Sequence, residues 1–156
     1  MENGGLYLAP LRADQYRQVA EWEEMRPLGD EMDWELYYEE MNAPKWAHFG
    51  LYDGDSFVGC ISLEEIDRQM IAYHVVTERR RVDPRALARV LRKTAGDLFA
   101  MGYIAMVARI PVGKRAAARL ALRCGMREWG HTRAEWVAAP LRYFILTQKR
   151  FENGIK

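Results

Sequence analysis

The residues from Arg81 to Ala86 lie where an apolar run gives way to a long amphipathic helix, a position that suits an anion site. A helix N-terminus presents backbone N–H groups that have no intrahelical partner, and together with the helix dipole they favour a phosphate. Two residues act against such a site. Pro84 has no N–H group, and Asp83 is placed to take the N-cap position and to add negative charge there. The segment therefore predicts either a phosphate site or an ordinary helix start capped by Asp83.

The charged residues are unevenly distributed along a chain whose formal net charge is only +1. Residues 1–40 carry eleven acidic and three basic residues, which gives −8, whereas residues 79–133 carry fourteen basic and three acidic residues, which gives +11. The basic segment suits an anionic ligand, a nucleic acid or an acidic protein surface. The alternative is a pair of solvated helices whose charge is balanced by the acidic segment.

Length and composition predict one globular domain over residues 1–156. The chain is 49% hydrophobic with a mean hydropathy of −0.35, and it has no apolar run long enough to span a bilayer. Residues 1–5 lack the features of a signal peptide, so we expect a cytoplasmic protein. Cys60 and Cys124 are expected to be buried free thiols, and neither they nor the three histidines have the spacing of a metal site.

Hydrophobic periodicity and turn residues predict alternating strands and helices. The clearest turn is Asp53-Gly54-Asp55, which joins two strands of a hairpin. Strands are predicted over Leu6–Leu8, Trp46–Tyr52, Phe57–Leu63, Met70–Thr77, Tyr103–Ile110, Met126–Trp136 and Leu141–Lys149, and helices over Asp14–Glu24, Asp33–Met41, Pro84–Ala100 and Val112–Cys124. The order β-α-α-β-β-β-α-β-α-β-β predicts an α/β domain with a single mixed, mostly antiparallel sheet flanked by about four helices.

This order and two partial motifs resemble the GCN5-related N-acetyltransferase (GNAT) superfamily. The family typically carries Gln/Arg-x-x-Gly-x-Gly/Ala before its third helix; Arg81 and Ala86 match the ends of this motif, but Pro84 replaces the middle glycine. In a second family motif, Lys114 occupies the position of an asparagine and Ala121 that of a tyrosine, while the hydrophobic positions around them are kept. The likeness covers nearly the whole chain.

The resemblance implies acetyl-CoA as a cofactor, bound by Val76, Arg81, Arg85, Ala86 and Lys114, with no metal. The missing main-chain donor at Pro84 predicts weakened binding, by about one to two decades in affinity. The missing tyrosine removes the residue that in the family protonates the leaving thiolate. A splayed pair of central strands, which admits the pantetheine arm, is also implied.

The same resemblance places a catalytic base on the central strands. His74 is the first candidate, and the fallback carboxylates are Glu64, Glu65 and Glu78. Tyr103 or Tyr73 would then replace the missing acid. The alternative for His74 is a packed histidine that serves only the structure.

The acceptor would be an amine or a basic peptide. It would bind where the aromatic residues Trp22, Trp34, Tyr37, Tyr38 and Trp46 cluster in the acidic segment. The same cluster suits core packing or a protein interface.

Three functions follow from the residues and the resemblance. The first is an acetyl-CoA-dependent N-acetyltransferase with eroded motifs. The second is a noncatalytic structural or interaction protein on a GNAT fold, similar to the degenerate GNAT-like virion proteins of short-tailed bacteriophages, which would place it in a virion and give it a protein partner on the basic helices or the aromatic cluster. The third is nucleic-acid binding by the basic half, for which no reading motif is present.

Overall fold

The computed structural model describes residues 5–12, 15, 18–19, 39, 42–78, 82–132 and 141–154. In this part of the chain the strands are β1 (Leu6–Pro10), β2 (Trp46–Asp53), β3 (Ser56–Asp67), β4 (Met70–Thr77), β5 (Ala105–Pro111), β6 (Arg127–Thr132) and β7 (Leu141–Thr147), and the helices are α1 (Pro84–Ala100), α2 (Arg115–Arg123) and α3 (Gln148–Glu152). None of these helices is both long and apolar enough to cross a membrane.

The seven strands form one mixed sheet in the order β1-β2-β3-β4-β5-β7-β6. β1 with β2, β2 with β3, β5 with β7 and β6 with β7 are antiparallel pairs, whereas β4 and β5 are parallel. The predicted α/β class with a mixed sheet is confirmed. The parallel ladder covers only three residue pairs, from Met70–Ala105 to Ala72–Val107, so these central strands are not joined over their full length.

The hairpin of β2 and β3 contains a β-bulge. Close to the turn, Tyr52 lies opposite Phe57, but the next partner of Leu51 is Gly59, so Val58 is an extra residue in β3. Val58 is buried, and its backbone oxygen accepts a hydrogen bond from the Glu78 N–H group at 2.9 Å. From Leu51 to Trp46, each residue of β2 therefore pairs with a residue that lies one position later in β3 than an unbulged hairpin would give.

The chain divides into two compact units, one of residues 1–64 and 74–86, the other of residues 65–73 and 87–156. In the first unit, Val19 and Cys60 form a buried contact, with Leu11, Phe57 and Val76 packed against it. The core of the second unit includes Leu91, Met106, Phe144 and Leu146, all fully buried. The expectation of a single domain remains a prediction.

Several predicted boundaries need correction. α2 begins at Arg115 rather than Val112, because Gly113 adopts a φ of +99° in the turn before it. The predicted strand over Leu141–Lys149 ends at Thr147, whose hydroxyl accepts a hydrogen bond from the Arg150 N–H group and caps α3, a helix that the sequence pattern missed. The first two predicted helices lie mostly outside the described residues, although Gln15, Val19 and Glu39 are helical.

The buried thiols predict a loss of stability at alkaline pH. Burial raises the pKa of both Cys60 and Cys124 to about 12, so the folded state keeps them protonated while the unfolded chain ionises above pH 9. Their contribution to stability is therefore complete below pH 9 and is lost as the pH rises toward 12. We expect the free energy of unfolding to fall by about 1.4 kcal/mol per thiol for each pH unit in this window.

Urea denaturation at several pH values checks this expectation, with a Cys60→Ala/Cys124→Ala variant as the control. Burial also raises the pKa of Tyr73, but this tyrosine is present in both proteins, so the difference in slope isolates the thiols. Equal slopes in the two proteins would contradict the assignment.

The structure leaves no room for a side chain at Gly59, the residue next to the bulge. A Cβ atom at this position would lie 2.8 Å from the Val76 backbone oxygen and 3.1 Å from Thr77 Cγ2. Since the backbone oxygen cannot move without disturbing β4, Gly59→Ala should lower the free energy of unfolding by about 1–3 kcal/mol. Gly5→Ala is the control, because its added methyl group meets nothing within 4 Å. Chemical denaturation of both variants measures the effect.

Candidate functional site

One face of the first unit gathers several side chains that can take part in acid–base chemistry. Antiparallel pairing places Trp46 of β2 opposite Glu64 of β3, and His48 opposite Ser62. Residues two apart in a strand share a face, so these four side chains lie together. His74 on β4 and Lys45 before β2 join them through Glu64. We call this group the Glu64–His74 cluster: Lys45, Trp46, His48, Ser62, Glu64 and His74.

Glu64 is the centre of the cluster. Its Oε2 atom lies 3.2 Å from Lys45 Nζ, and its Oε1 atom lies 3.9 Å from His74 Nε2. The Glu64 side chain is 13% exposed and that of His74 is 35% exposed, so the carboxylate is sheltered while the imidazole can be reached from solvent. The separation of 3.9 Å is longer than a direct hydrogen bond but short enough for the two charges to interact. A histidine beside a sheltered carboxylate can accept a proton and have its positive charge stabilised.

Trp46 forms the aromatic wall of the cluster. Its ring lies 5.0 Å from the His74 ring at an interplanar angle of 53°, and 5.9 Å from the His48 ring in a stacked arrangement. The indole N–H group is buried and has no hydrogen-bond partner in the described part of the protein. His48 Nδ1 is held by the Ser62 hydroxyl at 2.7 Å. An unpaired buried donor is costly, so this N–H group suggests an acceptor supplied by a ligand.

The start of α1 has the ordinary capped geometry rather than an open anion site. The Arg85 N–H group donates to the Asp83 carboxylate at 3.2 Å, and the helix begins at Pro84. The predicted Asp83 cap is confirmed. Arg85 is exposed and Ala86 is half-buried, whereas Arg81 lies outside the described residues. A phosphate at this place would have to compete with the Asp83 carboxylate for the Arg85 amide.

The remaining cofactor candidates are divided between the two units. Val76 in the first unit is half-buried and packs against the Val19–Cys60 contact. Lys114 in the second unit is the exposed N-cap residue of α2, and its side chain makes no cap hydrogen bond. Ala121, where the resemblance expects a tyrosine, is fully buried, so this position faces the core.

The two tyrosine candidates both belong to the second unit. Partial burial raises the pKa of Tyr103, and the neighbouring Glu65 carboxylate, which shares a hydrogen bond with the hydroxyl, raises it further. The Tyr73 hydroxyl is buried without a partner in the described part of the chain, and burial also raises its pKa. Of the three predicted catalytic residues, the structure therefore brings Glu64 and His74 together and pairs Tyr103 with Glu65.

Sequence reasoning missed the roles of Lys45, His48 and Ser62 in the cluster. Alternation along the hairpin could have placed Trp46 with His48 and Ser62 with Glu64 on shared faces. If the pairing of Asp53 with Ser56 is continued along the hairpin without a bulge, Leu63 lies opposite Trp46. Only the bulge places Glu64 opposite Trp46. Among the described residues there is no group of three or more side chains arranged to hold a metal ion.

The fold is that of the GNAT acetyltransferases. A chimera of spermidine N-acetyltransferase SpeG from Vibrio cholerae and hSSAT aligns with a TM-score of 0.74 at 18% identity, covering 96% of this chain and 99% of the other. The Vibrio cholerae spermidine N-acetyltransferase in complex with CoA and spermine aligns with a TM-score of 0.68 at 18% identity, over 95% and 98%. The acetyltransferase AAC(6')-Ib in complex with ribostamycin and coenzyme A reaches 0.80 at 12% identity, over 97% and 98%.

No protein-family model matches the chain, and no curated protein sequence matches it. At 12–18% identity these structural likenesses establish the fold, and the activity has to be argued from the residues of this chain. They do not support the resemblance to phage proteins.

The Asp83 cap predicts a measurable contribution to stability. Asp83→Ala removes the acceptor for the Arg85 amide and should lower the free energy of unfolding by about 1 kcal/mol. Asp83→Asn retains a capping oxygen and should remain within a few tenths of a kcal/mol of the parent, by the similar cap preferences of Asn and Asp. Thermal or urea denaturation compares the three proteins. A loss as large for asparagine as for alanine would show that the charge, not the cap, is what matters.

Proposed function

We propose that this protein is an N-acetyltransferase that transfers the acetyl group of acetyl-CoA to an amine. The observation that carries the proposal is the Glu64–His74 pair, which stands on the sheet of an acetyltransferase fold with His74 open to solvent. In such a transfer the amine attacks the thioester carbonyl, the amide bond forms, and the thiolate leaves. The amine must lose a proton, and an imidazole is suited to take it near neutral pH.

His74 acts as the general base in this proposal, and Glu64 is a positioning residue. The carboxylate, held by Lys45 at 3.2 Å, stabilises the imidazolium that forms when His74 takes the proton from the amine. A proton then has to reach the departing thiolate. The candidate for that step from the sequence, Tyr103, belongs to the second unit, where its hydroxyl shares a hydrogen bond with Glu65.

The acceptor is an amine that carries a hydrogen-bond acceptor near its nitrogen. The Trp46 ring face suits a cationic or polar amine, and the unpartnered Trp46 N–H group calls for an oxygen or nitrogen acceptor on the ligand. Spermine and ribostamycin, each bound in the structure of one of the neighbours named above, are both amines, and ribostamycin also carries oxygen acceptors.

The thioester donor binds weakly in this proposal. Val76, Arg85 and Ala86 are the described residues of the first unit that would hold it, together with Arg81. The Asp83 carboxylate occupies the Arg85 amide, and Pro84 offers no amide of its own, so affinity should be lower by about one to two decades than with a complete amide cradle.

The alternative is a noncatalytic interaction protein on the same fold. It is favoured by the occupied amide at Asp83 and by the buried Ala121, because both remove groups on which the family chemistry depends. A place in a virion would be a further step within this alternative.

Acetyl-CoA-dependent thiol release, measured with a panel of amines, tests the proposal. His74→Gln should lower kcat by about 10²–10⁴-fold because the base is lost, and Glu64→Gln should lower it less while shifting the pH profile. Asp55→Asn is the matched control, since it removes an exposed carboxylate at the hairpin turn of the same unit, away from the Glu64–His74 cluster. We expect it to change kcat by less than about threefold, well below the loss of a general base.

Calorimetric titration with acetyl-CoA separates the two functions. Saturable binding with no turnover of any amine would favour the noncatalytic alternative, and no binding at millimolar acetyl-CoA would overturn the acetyl-CoA-dependent enzyme. Equal rates for the parent and His74→Gln would remove His74 from the mechanism.

A further inference from the structure

The second unit contains a groove beside β6, the strand at one edge of the sheet. The start of β6, the end of β7 and the residues around α3 form its walls, and its volume is about 870 Å³. Sites for small molecules commonly measure roughly 300–1,000 Å³. We call it the Trp129 groove, after the aromatic residue in its wall. Its size is therefore that of a site for a small ligand.

The Trp129 groove is distinct from the predicted cofactor position on α2. The ladder of β5 and β7 runs from the pair Pro111–Leu141 to the pair Ala105–Thr147. Thr147 lines the groove, whereas the Lys114 N–H group donates a hydrogen bond to the Pro111 backbone oxygen at the other end of the ladder. A ligand in the groove would thus occupy the end of these strands that is farther from Lys114.

Trp129 presents an aromatic surface to the groove. In the pairing of β6 with β7, Glu128 lies opposite Phe144 and Gly130 lies opposite Tyr143, so Trp129 is an extra residue at a β-bulge. A bulge changes the direction of the side chain that it carries, and Trp129 is 64% exposed. An indole that is open to solvent in a concave surface provides a flat face on which another aromatic ring can stack.

Three cationic side chains line the same groove, those of Arg127, Lys149 and Arg150. Arg150 Nε donates a hydrogen bond to the Gly125 backbone oxygen at 2.9 Å, which fixes the guanidinium group without neutralising it. Within the described ranges of the chain, none of the three forms an ion pair with an acidic side chain. Their positive charge is therefore available to a ligand.

Glu128 also lines the groove, but its charge is already satisfied. Arg142 Nε donates to one oxygen of this carboxylate at 3.1 Å, and Arg142 Nη2 donates to the other. An arginine that binds a carboxylate through two hydrogen bonds forms one of the stronger ion pairs found in proteins. The net charge of the groove is consequently positive, and the excess is large enough for an anion with two negative charges.

A nucleoside monophosphate has both groups that the groove would recognise. Its phosphate carries a charge of about −1.5 to −2 near neutral pH and offers three strong acceptor oxygens, whereas a carboxylate carries only one charge. Its base has a flat face, and stacking of a base on an aromatic side chain is favourable for every base. Arg127 lies two positions before Trp129 on β6, a spacing that the ribose between base and phosphate can bridge.

We propose that the Trp129 groove binds a nucleoside monophosphate. The base stacks on Trp129, and the phosphate is held by Arg127, Lys149 and Arg150. The site shares no residue with the Glu64–His74 cluster, and the proposal does not depend on acetyl transfer.

Calorimetric titration with AMP tests this proposal, with adenosine and ribose 5-phosphate as the two halves of the ligand. We expect AMP to bind saturably and at least tenfold more tightly than either half. Trp129→Ala should lower the affinity for AMP by roughly 5–100-fold because stacking is lost, whereas Trp129→Phe, which keeps a ring, should stay within about fivefold of the parent.

A second pair of variants tests the cations. Arg127→Gln/Lys149→Gln should lower the affinity for AMP and for ribose 5-phosphate at least tenfold, because both ligands carry the phosphate. Arg89→Gln/Arg119→Gln is the matched control, since it removes the same charge at exposed positions of α1 and α2 that do not line the groove. Circular dichroism of each variant verifies that it is folded.

The remaining outcomes would overturn the proposal. They are no saturable binding at millimolar AMP, AMP binding that Trp129→Ala leaves unchanged, equal losses in the control variant, and ribose 5-phosphate binding as tight as that of AMP. A six-nucleotide DNA single strand that binds at least tenfold more tightly than AMP, and that requires Trp129, would make the groove a nucleic-acid site instead. None of these results bears on acetyl transfer, which the Trp129→Ala variant should retain at the rate of the parent.

Discussion

The arrangement of the Glu64–His74 cluster depends on one extra residue in β3. Val58 is bulged between the partners of Tyr52 and Leu51, and it is fixed there by burial and by the hydrogen bond that its oxygen accepts from Glu78. Because the two faces of a strand alternate, a shift of one residue moves every following side chain to the opposite face. Without the bulge, Leu63 would lie opposite Trp46. With the bulge, Glu64 lies opposite Trp46, and its carboxylate is close to the Trp46 indole and the His74 imidazole.

The same part of the sheet is closely packed around the bulge. Gly59 follows Val58 and leaves no room for a side chain against the Val76 oxygen, while Cys60 is buried next in the strand. The neighbouring residues thus pack closely around the bulge in the strand that carries Ser62 and Glu64. Precise placement of this kind is what acid–base groups need, because their contributions fall off steeply with distance.

The backbone amides at the start of α1 and the basic side chains of α1 and α2 find different partners within the chain. At the start of α1, Asp83 satisfies the Arg85 amide from within the chain, and this occupied amide weakens the case for a diphosphate. Within α1 and α2 the basic side chains have one acidic neighbour in the same helices, Asp97, which pairs with Lys93.

The sequence by itself determined the mixed sheet, the bounds of β4 and α1 and the Asp83 cap, because these depend on local periodicity, turn residues and residue chemistry. Glu64 and His74 became candidates only through the resemblance to a family. Only the tertiary structure decided that Lys45 and Trp46 join that pair and that Tyr103 pairs with Glu65 instead. It also decided that α1 and α2 are in contact where the Arg92 side chain donates a hydrogen bond to the Arg123 backbone oxygen. The physical reason is that strand register and helix contact are set by packing between distant segments, and a bulge one residue long leaves no periodic signal in the sequence.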